Sequence, residues 1–216
     1  MRLPRRTLLA MPLLGSAALA PQTARAQAVI PSTDPRLGER GIGDPQAAVK
    51  VIEFFSLTCS HCAAFHKETF PRVKRDLVET GTVRLVWRDF PLDQIALTAA
   101  AVARSLPAER YEGFIAALLS SQDRWAFTRG DPLAELGKMA ALAGMPKAQY
   151  DQVVADDGLK RAILEQRMVA EKEFAVQATP SFSFQRGGPG GTKVVNQSGN
   201  MPFEKFLSLV GEVKPA

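Results

Sequence analysis

The sequence of 216 residues is poor in cysteine and histidine, with two of each. Two cysteines cannot build the multi-bridge disulfide scaffold of a small secreted domain. No uncharged apolar run reaches the roughly 20 residues that a membrane-spanning helix needs, so an integral membrane protein is not expected. The hydrophobic fraction of 46% and the charged fraction of 23% are those of an ordinary globular protein and argue against a disordered chain.

The net charge of +5 comes mostly from the first 26 residues, which contain four arginines and no acidic residue. The remaining chain has 23 basic and 22 acidic residues, so we expect no nucleic-acid partner. A positive start, an apolar segment over residues 7–20 and the tripeptide Ala24-Arg25-Ala26 are typical of a signal peptide. We therefore expect residues 1–26 to be cleaved before Gln27 and the mature protein to be periplasmic, with the Sec and twin-arginine routes both open.

The mature chain begins with a pattern of strand, helix and strand. Residues 27–46 are rich in proline and glycine and predict an extended lead-in with little structure of its own. Residues 49–57 are almost continuously apolar, which indicates a short strand buried on both faces, and residues 83–90 predict a second strand. Pro71 should kink or restart the helix that joins them. A crossover helix of this kind makes the two strands parallel neighbours.

The stretch over residues 94–176 predicts only helices, separated by proline and glycine. The predicted helices cover residues 96–104, 111–121, 132–143, 147–155 and 159–174. Two short strands (181–185 and 192–195) and a closing helix (202–210) follow, and the glycine-rich run 187–191 predicts the loop between the strands. The fold class is therefore α/β, with residues 47–93 and 177–216 forming one sheet domain around an inserted all-helical subdomain at 94–176.

Both cysteines lie in the segment Cys59-Ser60-His61-Cys62, directly after the first predicted strand. We expect Thr58 to cap a helix that begins at Cys59, so that free N–H groups and the positive end of the helix dipole face the first sulfur. This predicts a partly exposed Cys59 with a lowered pKa, and the imidazole of His61 can stabilise the thiolate further. Cys62 lies one helical turn deeper, where it can resolve a mixed disulfide.

Redox catalysis is preferred over two other interpretations of this pair. An inert disulfide that closes a gap of two residues removes very little chain entropy. A metal site could use Cys59, Cys62 and His66, which share one helical face. A structural zinc site, however, usually takes its ligands from two separated segments, and the sequence has no second cluster. No metal is therefore expected, and a metal site stays the less favoured alternative.

The segment from Glu53 to Phe65, with the letters EFFSLTCSHCAAF, resembles the active-site segment of the DsbA-like thiol:disulfide oxidoreductases. Residues 41–45, 88–92 and 178–182 resemble the lead-in of that family, its strand before the helical insertion and its cis-proline segment. The resemblance implies a thioredoxin-like fold with a helical insertion. It also implies a redox-active disulfide and no organic cofactor.

The resemblance assigns roles to individual residues. Cys59 matches the nucleophile and Cys62 the buried resolving cysteine. Pro180 matches the cis-proline, and Thr179 before it presents its backbone to a bound peptide. Glu53 matches a buried acid that handles protons near Cys62.

Two positions depart from the family pattern. Leu85 falls near the place of the usual basic companion of Glu53, so Arg84 or Arg88 would have to serve. Ser60 replaces the most common proline between the cysteines, a position that faces bound substrate and tunes the redox potential.

Together these features predict an exported enzyme that oxidises cysteine pairs in other exported polypeptides. By resemblance, a quinone-linked membrane partner of the DsbB type would reoxidise it. A periplasmic disulfide reductase or isomerase is the nearest alternative, and a Cys/His metal-binding module is a weaker one. Isomerases of the DsbC type carry a dimerisation domain, and the roughly 20 residues between Gln27 and Val49 are too few for a domain. A monomer is therefore expected.

Overall fold

The computed structural model describes residues 33–186 and 194–214. The predicted signal peptide, the start of the predicted lead-in and the predicted glycine-rich loop lie outside the described residues. Within them, a mixed sheet of five strands has the order β1-β3-β2-β4-β5. The strands are β1 (Arg40–Ile42), β2 (Val49–Phe55), β3 (Val83–Asp89), β4 (Ser181–Arg186) and β5 (Val194–Ser198).

Helices connect these strands in the predicted order. Between β2 and β3 lie α1 (Ser60–Glu68), α2 (Phe70–Val73) and a π-helical turn (Lys74–Val78); Pro71 stands in the first turn of α2, as a restarted helix requires. The helices between β3 and β4 are α3 (Gln94–Arg104), α4 (Ala108–Ser120), α5 (Gln122–Trp125), α6 (Pro132–Leu142), α7 (Lys147–Val154) and α8 (Asp157–Glu173). Helix α9 (Phe203–Val213) follows β5. No helix of the described part of the chain is both long enough and apolar enough to cross a membrane.

Strand β2 occupies the centre of the sheet. It pairs in parallel with β3 and antiparallel with β4, which confirms the predicted parallel pair. Successive side chains of β2 enter two different hydrophobic clusters. Val51 and Phe55 face the larger cluster, and Ile52 and Phe54 face a smaller cluster that includes Ala170 of α8. Burial on both faces explains why this segment is almost continuously apolar.

The lead-in has more structure than the sequence predicts. A 3₁₀ turn at Pro35–Leu37 precedes β1, and β1 pairs antiparallel with the outer edge of β3. A Cβ atom at Gly41 would lie 2.5 Å from the main-chain oxygen of Leu85, so only glycine lets the two backbones approach this closely. The glycine that argues against a strand in the sequence is thus what allows this edge strand to form.

A buried ion pair fixes the start of the helical insertion to the sheet. Arg104 at the end of α3 is 2% exposed, and its Nε donates to Asp89 at the end of β3. The same guanidinium donates to the main-chain oxygens of Arg36 at 3.0 Å and Gly38 at 3.1 Å. The hydroxyl of Tyr111 from α4 donates to the second oxygen of Asp89 at 3.4 Å. The Asp89 carboxylate therefore connects β3 to α3 and α4. Arg104 connects the same cluster to the lead-in through its bonds to Arg36 and Gly38.

Candidate active site

The cysteine pair lies where β2 ends and α1 begins. Cys59 has an extended backbone conformation (φ −81°, ψ 118°) and is the N-cap residue, so α1 begins at Ser60 and not at Cys59. The expected cap by Thr58 is wrong, because its hydroxyl donates instead to Asp93 at 2.6 Å, the N-cap residue of α3. Cys59 keeps the predicted position at the helix N-terminus, facing the positive end of the helix dipole.

The two sulfurs have very different environments. Both cysteines are free thiols; Cys59 is 8% exposed and Cys62 is 0% exposed. Cys59 is therefore more buried than the sequence predicts. Its pKa is nevertheless lowered to about 5, because the Cys62 thiol, the side chain of Thr179 and the backbone N–H groups of Cys62 and His61 all favour the thiolate. Burial, the hydrogen bond to Cys59 and the charge of Glu53 raise the pKa of Cys62 far above the ordinary range.

The Thr179–Pro180 segment forms the opposite wall of the site. The peptide bond between these residues is cis, and Thr179 lies directly before β4. When Cys59 is protonated, its thiol donates to the main-chain oxygen of Thr179 at 3.3 Å. The Thr179 hydroxyl is buried and has no partner among the described residues, so it is available to donate to the thiolate once Cys59 ionises.

Glu53 is a buried carboxylate whose companion differs from the one the sequence predicts. Its side chain is 0% exposed, and its two oxygens lie 3.2 and 3.1 Å from Nε2 of His66, on α1. Arg84 does not serve, because it donates to the main-chain oxygen of Gly43 at 2.8 Å and pairs with Glu39. Arg88 does not serve either, because its guanidinium lies over the ring of Phe174.

The placement of His66 also bears on the metal alternative. The sequence puts His66 on one helical face with both cysteines, but its Nε2 is directed at Glu53. In the described ranges 33–186 and 194–214, no group of three histidine, cysteine, aspartate or glutamate side chains is arranged to hold a metal ion.

The comparison with known proteins gives the family. The sequence model of a family described as thioredoxin matches residues 36–186. The chain belongs to the DsbA-like family of thioredoxin-fold disulfide oxidoreductases. A solved structure of alpha-DsbA1 from Wolbachia pipientis has a TM-score of 0.75 and 28% sequence identity to this DsbA-like chain, and the match covers 82% of this chain and 90% of that one.

One curated relative agrees with this placement, and one further solved structure agrees with the fold. A Rickettsia prowazekii protein named as a protein-disulfide oxidoreductase is 30% identical over 144 residues, or 65% of this chain and 52% of that protein. The DsbA-like chain thus spans about half the length of the curated relatives that it matches. A solved protein-disulfide isomerase from Novosphingobium aromaticivorans has the same fold, with a TM-score of 0.65, 22% identity, and coverage of 80% of this chain and 97% of that one.

The DsbA-like site includes one residue of the insertion that the sequence does not reveal. Gln122 in the short helix α5 is buried, and its side-chain amide donates to the main-chain oxygens of Leu57 at 2.8 Å and Cys59 at 3.1 Å. The local signal is weak, since α5 has only four residues. A glutamine between the apolar Leu119 and Trp125 is the one hint of a buried polar role.

Ser60 and His61 stand on the exposed first turn of α1. The backbone N–H of His61 contributes to the low pKa of Cys59. The roles of the His61 imidazole and of the Ser60 side chain remain predictions from the sequence.

Proposed function

We propose that this chain is an exported thiol:disulfide oxidase that introduces disulfide bonds into other exported polypeptides through Cys59 and Cys62. A substrate thiolate attacks Cys59 of the Cys59–Cys62 disulfide, and Cys62 leaves and takes up a proton. A second substrate thiolate then attacks the substrate sulfur of the mixed disulfide and expels Cys59 as a thiolate. Two electrons pass from the substrate to the enzyme.

One observation carries the proposed direction of this reaction: the contrast between the two sulfurs. With a pKa of about 5, Cys59 is a thiolate at neutral pH and therefore a good leaving group. The same hydrogen bonds stabilise the reduced enzyme and contribute nothing to a disulfide. A reduced form that is favoured in this way makes the corresponding disulfide an oxidant.

The enzyme must be reoxidised after each cycle. We propose a quinone-linked membrane protein of the DsbB type as the reoxidant, and a periplasmic location that follows cleavage before Gln27. The support for both is the family membership together with the signal-peptide pattern. N-terminal sequencing of the mature protein from a periplasmic extract tests the location: a chain that begins elsewhere and stays in the cytoplasm would exclude it.

The reduction potential of the Cys59–Cys62 couple tests the direction. It is measured by equilibrating the protein with defined ratios of reduced and oxidised glutathione. An oxidase should have a potential more positive than about −200 mV, whereas a potential near −270 mV, as in thioredoxin, would favour the reductase alternative.

The isomerase alternative predicts that the protein reactivates a scrambled disulfide substrate faster than it oxidises a reduced one. Elemental analysis of the purified protein tests the metal-binding alternative.

A further inference from the structure

The resolving cysteine raises a problem of proton transfer. Cys62 must lose its proton before it can attack the mixed disulfide at Cys59, yet it is 0% exposed and its pKa is strongly raised. Water therefore cannot take this proton directly. Glu53 is the nearby carboxylate whose charge acts on Cys62, but it is also completely buried. A further group is needed to connect Glu53 to solvent.

His66 lies between Glu53 and a groove at the surface. Its Nε2 contacts both oxygens of Glu53 at 3.1 and 3.2 Å, and it is the one hydrogen-bonding partner of this carboxylate within the described part of the chain. The side chain is 5% exposed and lines a groove of about 920 Å³ between α1 and the helices α4 and α5. One end of the imidazole thus touches the buried acid, while the residue borders an open groove.

The environment of the second ring nitrogen of His66 also favours a role in proton transfer. Nδ1 of His66 is buried and has no hydrogen-bonding partner among the described residues. Around the ring lie the aromatic side chains of Phe55, Phe65 and Phe70, which fix its orientation and supply no hydrogen-bond acceptor. A purely structural histidine is normally hydrogen-bonded at both nitrogens when buried. Because His66 lines the groove, Nδ1 is the ring atom left to exchange a proton with water there.

We propose that His66 is a positioning residue for the resolving step, passing the proton of Cys62 from Glu53 to the groove. The proposal rests on exchange at Cys59 and Cys62 but not on its direction. The Cys62 thiol gives its proton to Glu53, and the Cys62 sulfur attacks Cys59. The Cys59–Cys62 bond forms, and the bond from Cys59 to the partner sulfur breaks. The partner leaves as a thiolate while His66 carries the proton outward. In the opposite direction the same path returns a proton to Cys62.

Other ionisable groups face this path and must be considered in any pH profile. Lys67, Glu68 and Asp123 line the groove, and all three are exposed. Cys59 and Cys62 face the path from the start of α1, and their pKa values are shifted in opposite directions. The residues of α4 that line the groove, namely Ala116, Ala117, Leu119 and Ser120, carry no ionisable side chain.

Stopped-flow oxidation of the reduced full chain by 2,2′-dipyridyl disulfide separates the two sulfurs. Cys59 attacks the reagent and releases a first pyridinethione at a rate proportional to the reagent concentration. Cys62 then attacks the mixed disulfide and releases a second one at a rate independent of the reagent. His66→Gln, which keeps a side-chain donor for Glu53, should slow the second release at neutral pH by at least about tenfold. The first release should change less than about twofold.

The pH profile distinguishes proton transfer from a packing role. The rate of the second release should rise more steeply with hydroxide concentration in His66→Gln than in the wild type, because hydroxide must then replace the relay. Lys67→Gln, on the same helix and groove, should leave both releases unchanged. A His66→Gln protein whose second release keeps the wild-type rate and pH profile overturns the proposal.

Glu53→Gln gives a second arm that does not depend on how well His66→Gln folds. Because the two residues act in series, Glu53→Gln should slow the second release by a similar factor. The double variant should be no slower than the slower single variant. Additive losses would overturn the proposal. Failure of the oxidase function would instead appear in the reduction potential and would leave both releases of the wild type in place.

Discussion

The sulfur of Cys59 lies 3.3 Å from the main-chain oxygen of Thr179, which is 120 residues further along the chain. The nucleophile is thus held between the N-terminus of α1 and the segment that leads into β4. Cys62, one turn along the same helix, is fully buried. The two cysteines therefore differ in both accessibility and charge, and the predictions below follow from this difference and from the contacts that maintain it.

The first prediction concerns which sulfur reacts with substrate. Cys62→Ser should accumulate mixed disulfides between Cys59 and substrate proteins, because the resolving thiol is missing. Cys59→Ser should trap nothing, since Cys62 is inaccessible and its raised pKa keeps it protonated. Acid quenching, alkylation and non-reducing electrophoresis give the measurement. Equal trapping by both variants would show that Cys59 is not the attacked sulfur.

The second prediction links the thiolate to stability. At pH 7 the low pKa of Cys59 should make the reduced protein more stable than the oxidised protein by about 3 kcal/mol. The folded pKa of about 5 lies below the ordinary thiol value of 9.0, so this advantage is complete above pH 9 and is lost as the pH falls towards 5. Above pH 9 the raised pKa of Cys62 acts in the opposite sense, because only the unfolded chain can ionise that thiol.

Urea denaturation of the reduced and oxidised proteins between pH 5 and pH 9 measures this difference. The advantage of the reduced form should shrink on acidification and reach its maximum between neutral pH and pH 9. An oxidised form that is the more stable of the two at pH 7 would contradict both this prediction and the oxidase direction.

A third prediction concerns the hydroxyl of Thr179. Thr179→Val keeps the side-chain shape and removes the donor that is available to the Cys59 thiolate. One hydrogen bond contributes about 1 kcal/mol, so the pKa of Cys59 should rise by up to about 1. Thr179→Ser retains a hydroxyl and should leave the pKa near that of the wild type. Ultraviolet titration of the thiolate gives the pKa of Cys59 in both variants. Identical pKa values in Thr179→Val and Thr179→Ser would exclude a role of the hydroxyl.

A fourth prediction tests the contact between the insertion and the active-site loop. Gln122→Leu removes the amide that donates to the carbonyls of Leu57 and Cys59. Leaving buried acceptors without a partner should lower the free energy of unfolding by about 1–3 kcal/mol. Gln149→Leu is the matched control, because Gln149 also donates to a carbonyl but is exposed; its effect should stay within about 0.5 kcal/mol. Equal effects in urea denaturation would mean that the Gln122 contact is not stabilising.

A fifth prediction concerns the ion pair of Asp89 and Arg104. Arg104→Met leaves a buried carboxylate without its cation and should cost about 3–5 kcal/mol of stability. The double variant Asp89→Asn, Arg104→Met should recover part of this loss, because the buried Asp89 carboxylate no longer stands without the Arg104 cation. Lys147→Met removes an exposed pair with Asp151 and should cost less than about 1 kcal/mol. Thermal and urea denaturation measure the stability of the three variants. A double variant less stable than Arg104→Met would contradict the view that the unpaired Asp89 carboxylate causes the loss.

The sequence is sufficient to predict the architecture wherever the signal is local. The continuous apolar run at β2 and the 3.6-residue periodicity of α3, α4 and α6 to α8 both depend on neighbours within a few residues, and each of these elements is present. Strand β1 is different. Its three residues include Gly41 and have no strand periodicity of their own, and they become a strand because the open edge of β3 supplies the hydrogen bonds.

The same distinction applies to the site. Cys59 and Cys62 are apparent from their spacing, whereas the partner of Glu53 is not, because Glu53 and His66 lie on different elements whose packing brings them together. The sequence does place His66 one turn after Cys62, and that spacing is consistent with either a ligand or a companion of the buried acid. The role of Gln122 is harder still to predict, because the carbonyl groups that it contacts lie more than 60 residues away in the sequence.

The distance in sequence between Cys59 and Thr179 has a consequence for the order of events during folding. Thr179 and the pairing of β4 with the central strand become available only after the whole helical insertion has been synthesised. A chain that ends within the insertion therefore carries Cys59 without one of the groups that lower its pKa. Contacts of such long range also form slowly. The nucleophile reaches its full reactivity late, when the sheet around it is complete, and a nascent chain is correspondingly less prone to premature exchange.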